Sequence, residues 1–303
     1  MLKSLRNMME YLEFCKITWY KSIMNIPTRI KAFVTNPRHR TPLLIISAVV
    51  MGVTAITLPL SGGADAITQP ISLPCQRTLL IGHRGTSTAV ARNNSMAAFQ
   101  RAVADGAEVV ELDIHRTKPV KGKGTWVVWH DKYIKGKKIS KHTYEQLKKI
   151  QPDLITVKDA IAYVSTTGRM MQLEVKPKKT GSGSFKYIAS LVKQYKMQSR
   201  FQLASFDKTN LKRAKKYHLT TVYLSSKKVS TKTVKKYSRI VHLNKKVVTS
   251  KAVVDYYHRA GIKVYVYTSD SKTEWNRYLS YGVDGITTDL AQLYTSTCNA
   301  QML

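Results

Sequence analysis

The sequence predicts an α/β protein, a TIM (β/α)8 barrel preceded by one N-terminal transmembrane helix. Three observations support this. From Thr78 onward, eight apolar runs of strand length alternate with amphipathic stretches of helix length. The turn after the first run, Gly82-His83-Arg84-Gly85, lacks the GxGxxG of an open doubly wound sheet, the structural rival. Residues 43–60, LLIISAVVMGVTAITLPL, contain no charge over 18 positions.

Residues 1–42 form a basic segment in which Met8, Met9, Tyr11, Leu12, Phe14, Ile17, Trp19 and Tyr20 stand among polar positions. Such a segment suits either the inner face of a membrane or a tail that only sets topology. The run 43–60 would span about 27 Å as a helix, close to the thickness of a bilayer's hydrocarbon core. Eight Lys and Arg against two acids precede it. The positive-inside rule therefore keeps the N-terminus cytoplasmic and sends the rest outside as a signal-anchored, single-pass membrane protein. Ala64-Asp65-Ala66 fits a small-x-small site, which leaves open a secreted form cleaved near Ala66. Residues 61–77 read as a linker and 78–303 as the barrel domain. Strand-like runs fall at 78–84, 108–115, 169–176, 200–206, 220–225, 239–244, 263–268 and 284–289. Helical stretches fall at 95–105, 157–166, 184–196, 207–217, 231–237, 250–260 and 271–281. An extra strand-like piece at 126–129 is expected in a loop over the barrel's C-terminal face.

The 303 residues, 43% of them hydrophobic, suffice for one large core and exclude a disordered chain. The 50 Lys and Arg against 18 Asp and Glu give +32, spread along the chain, so a polyanionic surface or substrate is expected nearby. No helix-turn-helix, zinc-finger spacing, RNP box or arginine-rich arm is present, and no specific nucleic-acid partner is expected. Of three cysteines, Cys15 falls on the cytoplasmic side and is expected unpaired. Cys75 and Cys298 flank the barrel strands, whose closure brings the chain ends near one another. They are either a disulfide or two inert thiols.

The chemistry gathers at strand ends. Glu111 and Asp113, two apart on one strand, point to the same side. Like charges held together in a core need neutralising. Glu174, in the segment Leu173-Glu174-Val175-Lys176, would point into the same mouth. Three carboxylates without a ligating Cys form an all-oxygen set, which favours Mg²⁺, Ca²⁺ or Mn²⁺ over Zn²⁺. His83 and His130 reach the C-terminal mouth with pKa values suited to acid and base work. Arg84 and Lys176 can clamp phosphate oxygens or pair with the acids. His115, His142, His218, His242 and His258 read as satisfied core or surface residues. From these residues alone the expectation is a metal-dependent phosphodiesterase acting outside the cell.

From about Thr78 to Leu290 the chain resembles the glycerophosphodiester phosphodiesterases, TIM barrels related to phosphatidylinositol-type phospholipases C. The resemblance is carried by His83-Arg84-Gly85, Asn94-Ser95 with Ala98-Phe99, Gly106-Ala107, Glu111-Leu112-Asp113, His130-Asp131, Glu174-Val175-Lys176, Ser205-Phe206 and the closing Gly282-Val283-Asp284-Gly285-Ile286-Thr287-Thr288-Asp289. It implies hydrolysis of glycerophosphodiesters to glycerol 3-phosphate and an alcohol. It also implies one divalent cation, Mg²⁺ or Ca²⁺, on Glu111, Asp113 and Glu174, catalysis by His83 and His130, and phosphate contacts from Arg84 and Lys176. Two departures stand out. Arg92-Asn93-Asn94-Ser95 replaces the family's Pro-Glu-Asn-Thr, and Tyr267-Thr268 replaces Trp-Thr. The short connection between His130 and Glu174 implies a trimmed insert and a more open mouth. The strong positive charge suits lipid-borne or polymeric envelope substrates. The alternative is a weak or inactive barrel that binds anionic cell-envelope polymers, for which the Asn93 departure is the support.

Overall fold

The computed structural model describes residues 74–86, 92–122 and 124–300. The basic segment, the apolar run 43–60, the linker up to residue 73 and Cys15 lie outside the described residues. Among the described residues, no helix is long and apolar enough to cross a membrane.

The chain runs through α1 (Pro74–Arg77), β1 (Leu79–Gly82), α2 (Met96–Ala104), β2 (Val109–Arg116), β3 (Trp126–Val128), β4 (Tyr133–Ile134), β5 (Lys137–Lys138), α3 (Tyr144–Ile150), α4 (Val157–Thr166) and β6 (Met170–Val175). It continues through α5 (Ser182–Gln194), β7 (Phe201–Ser205), α6 (Lys208–Lys215), β8 (Thr221–Ser225), α7 (Thr231–Tyr237), β9 (Ile240–Asn244), α8 (Lys251–His258), β10 (Lys263–Tyr267), α9 (Lys272–Tyr281), β11 (Gly285–Thr288) and α10 (Ala291–Ala300). Eight parallel strands hydrogen-bond in the order β1-β2-β6-β7-β8-β9-β10-β11, and β11 pairs back onto β1. The ring is closed, as the βα alternation predicts, and the open-sheet rival is excluded. The extra piece is β3, which pairs antiparallel with the C-terminal end of β2 through Arg116 and Trp126.

The two-residue period of each strand sorts its side chains. On β2, Val110, Leu112 and Ile114 join the apolar layer between barrel and helices, together with Met171, Leu173 and Val175 of β6. The alternate residues face inward. Many of them are apolar, with Ile81, Val109, Ala204, Val222, Ile240 and Tyr265 in one cluster. Toward the C-terminal end they become polar: along β6 the inward series is Met170, Gln172, Glu174. Helix starts are set by short polar side chains. Ser95 accepts from the Ala98 N–H, Asp207 from Thr209 and Asn210, and Thr143 and Thr156 form capping boxes. Cys75 and Cys298 form a disulfide with Cα atoms 6.0 Å apart, so of the two expectations for this pair the disulfide holds. Cys75 lies in α1, within the stretch read from sequence as linker.

The interior carries a closed hydrogen-bond network. Gln172 Nε2 donates to Gln202 Oε1 at 3.1 Å, and Gln202 Nε2 donates to the Tyr265 hydroxyl at 3.2 Å. Gln172 Oε1 is therefore the acceptor toward His242 Nδ1 at 3.0 Å, and Thr287 Oγ1 donates to His242 Nε2 at 2.9 Å. Burial pushes His242 down to about 3. The unfolded chain takes up a proton on His242 below about pH 6.5 that the folded chain refuses until about 3. This residue thus leaves stability intact above that window and removes it as the pH falls through it. His242→Gln is expected to remove up to about one proton from those taken up on unfolding within that window, and so to flatten the acid-side decline in stability and in melting temperature. Superimposable pH profiles for the two proteins would refute this.

Candidate active site

At the end of β1 the chain turns sharply through His83, Arg84 and Gly85. Arg84 and Gly85 both take positive φ, 55° and 74°. A Cβ on Gly85 would lie 2.6 Å from the Ala98 carbonyl carbon, so only glycine fits there. The turn directs its backbone at β2: the Arg84 N–H donates to Glu111 Oε2 at 2.8 Å, and the Gly85 N–H donates to the Glu111 carbonyl at 3.0 Å. His-Arg-Gly is therefore as much a backbone device as a set of side chains.

Register brings the acids together. Asp113 of β2 is the direct neighbour of Glu174 on β6, and Glu111 lies two residues below Asp113 on the same face. One oxygen from each of Glu111, Asp113 and Glu174 lies within 4.8 Å of the others, a group able to hold a metal ion. Glu111 and Asp113 are only 5% and 2% exposed. Burial and the neighbouring Asp113 charge push Glu111 up to about 8, and the same causes push Glu174 up to about 7. Asp113 behaves oppositely. Burial would raise it, but Lys176, Arg84 and the Asn94 hydrogen bond outweigh burial and hold it below its ordinary value. Arg84 Nε and Lys176 Nζ each lie 3.3 Å from an Asp113 oxygen, and Lys176 lies 3.2 Å from Glu174. Both cations thus pair with the acidic cluster. Their charge satisfies Asp113 and leaves two carboxyls that gain from a divalent cation, so the donor set fits one.

Both histidines are held by carboxylates. His83 Nδ1 donates to Asp289 Oδ1 at 2.8 Å, and Asp289 is itself fixed by its backbone N–H, which donates to Asp270 Oδ1 at 2.8 Å. Burial would lower the His83 pKa, but the Asp289 bond and the negative field of Glu111 prevail and raise it. His130 Nδ1 donates to Asp131 Oδ1 at 2.8 Å, and His115 Nε2 donates to the His130 carbonyl at 3.0 Å. Burial, which outweighs the pull of Asp113, lowers the His130 pKa. The opposite directions suit a division into acid and base.

All seven sequence-predicted residues line one hollow of about 210 Å³ at the C-terminal mouth, with His242 and Thr287 also in its wall. Phe206, 46% exposed, and Tyr267 add an aromatic side, their rings meeting edge to face at 6.2 Å. Asn93, at the departure from the family pattern, is absent from that lining, and its Oδ1 is buried without a hydrogen-bond partner among the described residues. Arg92 stacks over Trp129 at 4.4 Å and pairs with Asp153.

Three contributors escaped the sequence reading as functional residues. Asp289 and Asp131 orient the histidines. Asn94 grips Asp113 in both directions: its Nδ2 donates to Asp113 Oδ2 at 2.9 Å, and the Asp113 N–H donates to Asn94 Oδ1 at 3.0 Å. The usable signal was a carboxylate or amide within a few residues of the end of a strand adjacent in the closed ring. Asn94→Ala takes one hydrogen bond from the buried Asp113 carboxylate, which keeps Arg84 and Lys176, and leaves the Asp113 N–H without its acceptor, and is expected to destabilise the fold by about 1–3 kcal/mol. An unchanged denaturant midpoint would remove Asn94 from this role.

Residues 83–293 match the glycerophosphoryl diester phosphodiesterase family. The glycerophosphodiester phosphodiesterase of Caldanaerobacter subterraneus subsp. tengcongensis is 26% identical over 239 residues, 70% of this chain and 94% of that protein. In fold, a glycerophosphodiester phosphodiesterase from Parabacteroides distasonis superposes with a TM-score of 0.65 at 24% identity, covering 75% of this chain and 99% of its own. An Oleispira antarctica phosphodiesterase, solved in complex with sn-glycerol-3-phosphate as product, gives 0.64 at 23%, covering 74% and 98%. With the barrel, the mouth and the ordered motifs all in agreement over most of its length, the chain belongs to the glycerophosphoryl diester phosphodiesterase family, and it is an enzyme of the phosphoric diester hydrolase class.

Proposed function

We propose that the chain hydrolyses glycerophosphodiesters to glycerol 3-phosphate and an alcohol with one divalent cation, Mg²⁺ or Ca²⁺, held by Glu111, Asp113 and Glu174. The observation that carries this is the convergence of three buried or half-buried carboxylates within 4.8 Å, beside two carboxylate-held histidines and two cations. A bound cation would supply Lewis-acid stabilisation of charge developing on the phosphoryl group. Arg84 and Lys176 hold the non-bridging phosphate oxygens, their present pairing with the acids leaving them at the rim of the same hollow. With Nδ1 of each ring committed to a carboxylate, Nε2 of His83 and of His130 is the atom that moves protons. One ring takes the nucleophile's proton and the other protonates the departing alcohol. The product-bound Oleispira protein supports glycerol 3-phosphate as the product.

In this reading the barrel works outside the cell on lipid-derived or envelope-polymer substrates. The run 43–60 holds it in the membrane, with residues 1–42 inside and 61–77 as the stalk. The supports are the formal +32 charge, the apolar run with its basic flank, and a disulfide, which an oxidising compartment preserves.

The test is release of glycerol 3-phosphate by the full chain from a panel of glycerophosphodiesters. Release is expected to vanish on chelation, to return with Mg²⁺ or Ca²⁺, and to be absent in a folded Glu111→Ala variant. Chelator-insensitive release would overturn metal dependence. Binding of glycerol phosphate polymer without any release would instead favour the inactive-binder alternative.

A further inference from the structure

A second hollow, of about 520 Å³, lies where the end of β2 meets the start of α5, at the same C-terminal face as the catalytic mouth. Arg116, Thr125, Gly181, Gly183, Ser184 and Tyr187 are among its lining residues. Helix α5 is 13 residues long, and its cap residue Gly181 offers no side-chain oxygen to the first-turn N–H groups. The Ser184 N–H donates to the Gly181 carbonyl at 3.1 Å, which leaves the N–H groups ahead of it and the positive end of the helix dipole at the hollow.

Ser184 supplies an independent observation. It is 6% exposed, it lines the hollow, and its Oγ is buried with no hydrogen-bond partner among the described residues. A buried hydroxyl left unpaired is destabilising unless something from outside the fold satisfies it. The two glycines agree. Neither has a positive φ, and a Cβ on Gly181 or Gly183 would meet nothing within 4 Å, so neither packing nor backbone conformation demands glycine there. Their effect is to leave the amides at the helix start uncovered, although glycine is a poor helix former.

Arg116 adds positive charge. Its Nε makes a long 3.5 Å contact to the Gly124 carbonyl, and it has no carboxylate partner among the described residues. Arg116 also lines a third hollow of about 440 Å³ with Lys132 and Lys176, and Lys176 in turn lines the catalytic mouth. Three hollows therefore run in series along the rim, joined by Lys176 and Arg116. Arg116 lies three residues beyond Asp113 on β2, about 10 Å along the strand. A short run of glycerol phosphate units covers that distance.

We propose that the hollow at the start of α5 is an accessory anion subsite, which holds a phosphate of a polyanionic glycerophosphodiester other than the phosphate being cleaved. This rests on the mouth being the cleavage site, and it names the feature by which a polymer or phosphodiester-rich surface is preferred to a small diester.

Gly183→Asp puts a carboxylate into open space at the helix start, a position where acids favour helices, and Arg116→Gln removes the cation. For both, kcat/KM on glycerophosphoglycerol is expected to stay within about twofold, while kcat/KM on a glycerol phosphate oligomer falls about tenfold. Lys212→Gln, on the exposed outer side of α6, makes the same change in net charge and is expected to alter neither. Parallel assays on phosphatidylglycerol vesicles separate the sources: a loss with the oligomer assigns the ligand to a polymer, and a loss with vesicles alone assigns it to lipid headgroups. Equal losses on the small diester and the oligomer, or no loss on the oligomer or the vesicles, overturn the subsite. If the wild-type protein cleaves no diester, the proposed function fails, and equilibrium binding of the intact oligomer decides the subsite by itself. Weaker binding by Gly183→Asp than by wild type upholds it, and equal binding overturns it.

Discussion

His83→Ala is expected to lower kcat for glycerophosphodiester cleavage by about 10²–10⁴-fold, the range of one positioned acid or base. The imidazole is the only part of the His-Arg-Gly turn that the substitution removes. Arg84 and Gly85 keep their backbone bonds to Glu111, so the acidic cluster stays in place. Divalent-cation binding, followed by calorimetry, and the melting temperature are expected to remain near wild type while turnover collapses. Asp289→Asn gives the companion result. It keeps an acceptor for Nδ1 but removes the charge that raises the His83 pKa, so the activity–pH profile shifts toward lower pH. Wild-type turnover by His83→Ala would exclude the residue from proton transfer.

Replacing both Cys75 and Cys298 by Ser is expected to destabilise the barrel by about 2–5 kcal/mol. The bond closes a loop with a sequence separation of 223 residues, which takes in every barrel strand. Without it the unfolded ensemble regains the freedom of the whole chain. For a domain of this size that corresponds to a fall in melting temperature of roughly 5–20 °C. Reduction of the wild-type protein is expected to give the same fall. Activity below the transition is expected to survive. Cys75 precedes β1 and Cys298 lies in the last turn of the helix after β11, at the face opposite the catalytic mouth. A melting temperature indifferent to reduction would show that the bond does not stabilise the barrel.

Much of the site was legible because its signals are local. The spacing of Glu111 and Asp113 fixes both on one side of a strand whatever that strand pairs with. The positions of His83, Glu174 and Lys176 at the ends of apolar runs put them at the C-terminal face once the barrel is granted. Asp289 and Asn94 were illegible because they act across longer separations, whereas Asp131 is the direct neighbour of His130. Asp289 meets His83 over 206 residues of sequence, and only closure of β11 onto β1 makes them neighbours. His242 reads as an ordinary core histidine, and it is fully buried as such. What its own segment did not show is that it shares the wall of the catalytic hollow.

By itself the sequence determined the eight strand–helix units, which side of each strand carries charge, and the inventory of acids, imidazoles and cations. Hydrophobic period and strand ends are properties of neighbouring residues. Tertiary structure decided which carboxylates share a cation-sized space, that Arg84 and Lys176 both pair with Asp113, that Cys75 and Cys298 are joined, and that Ser184 and Arg116 share a hollow beside the mouth. Each of these depends on strand register and ring closure, which bring together residues tens to hundreds of positions apart, and no local pattern along the chain encodes such distances.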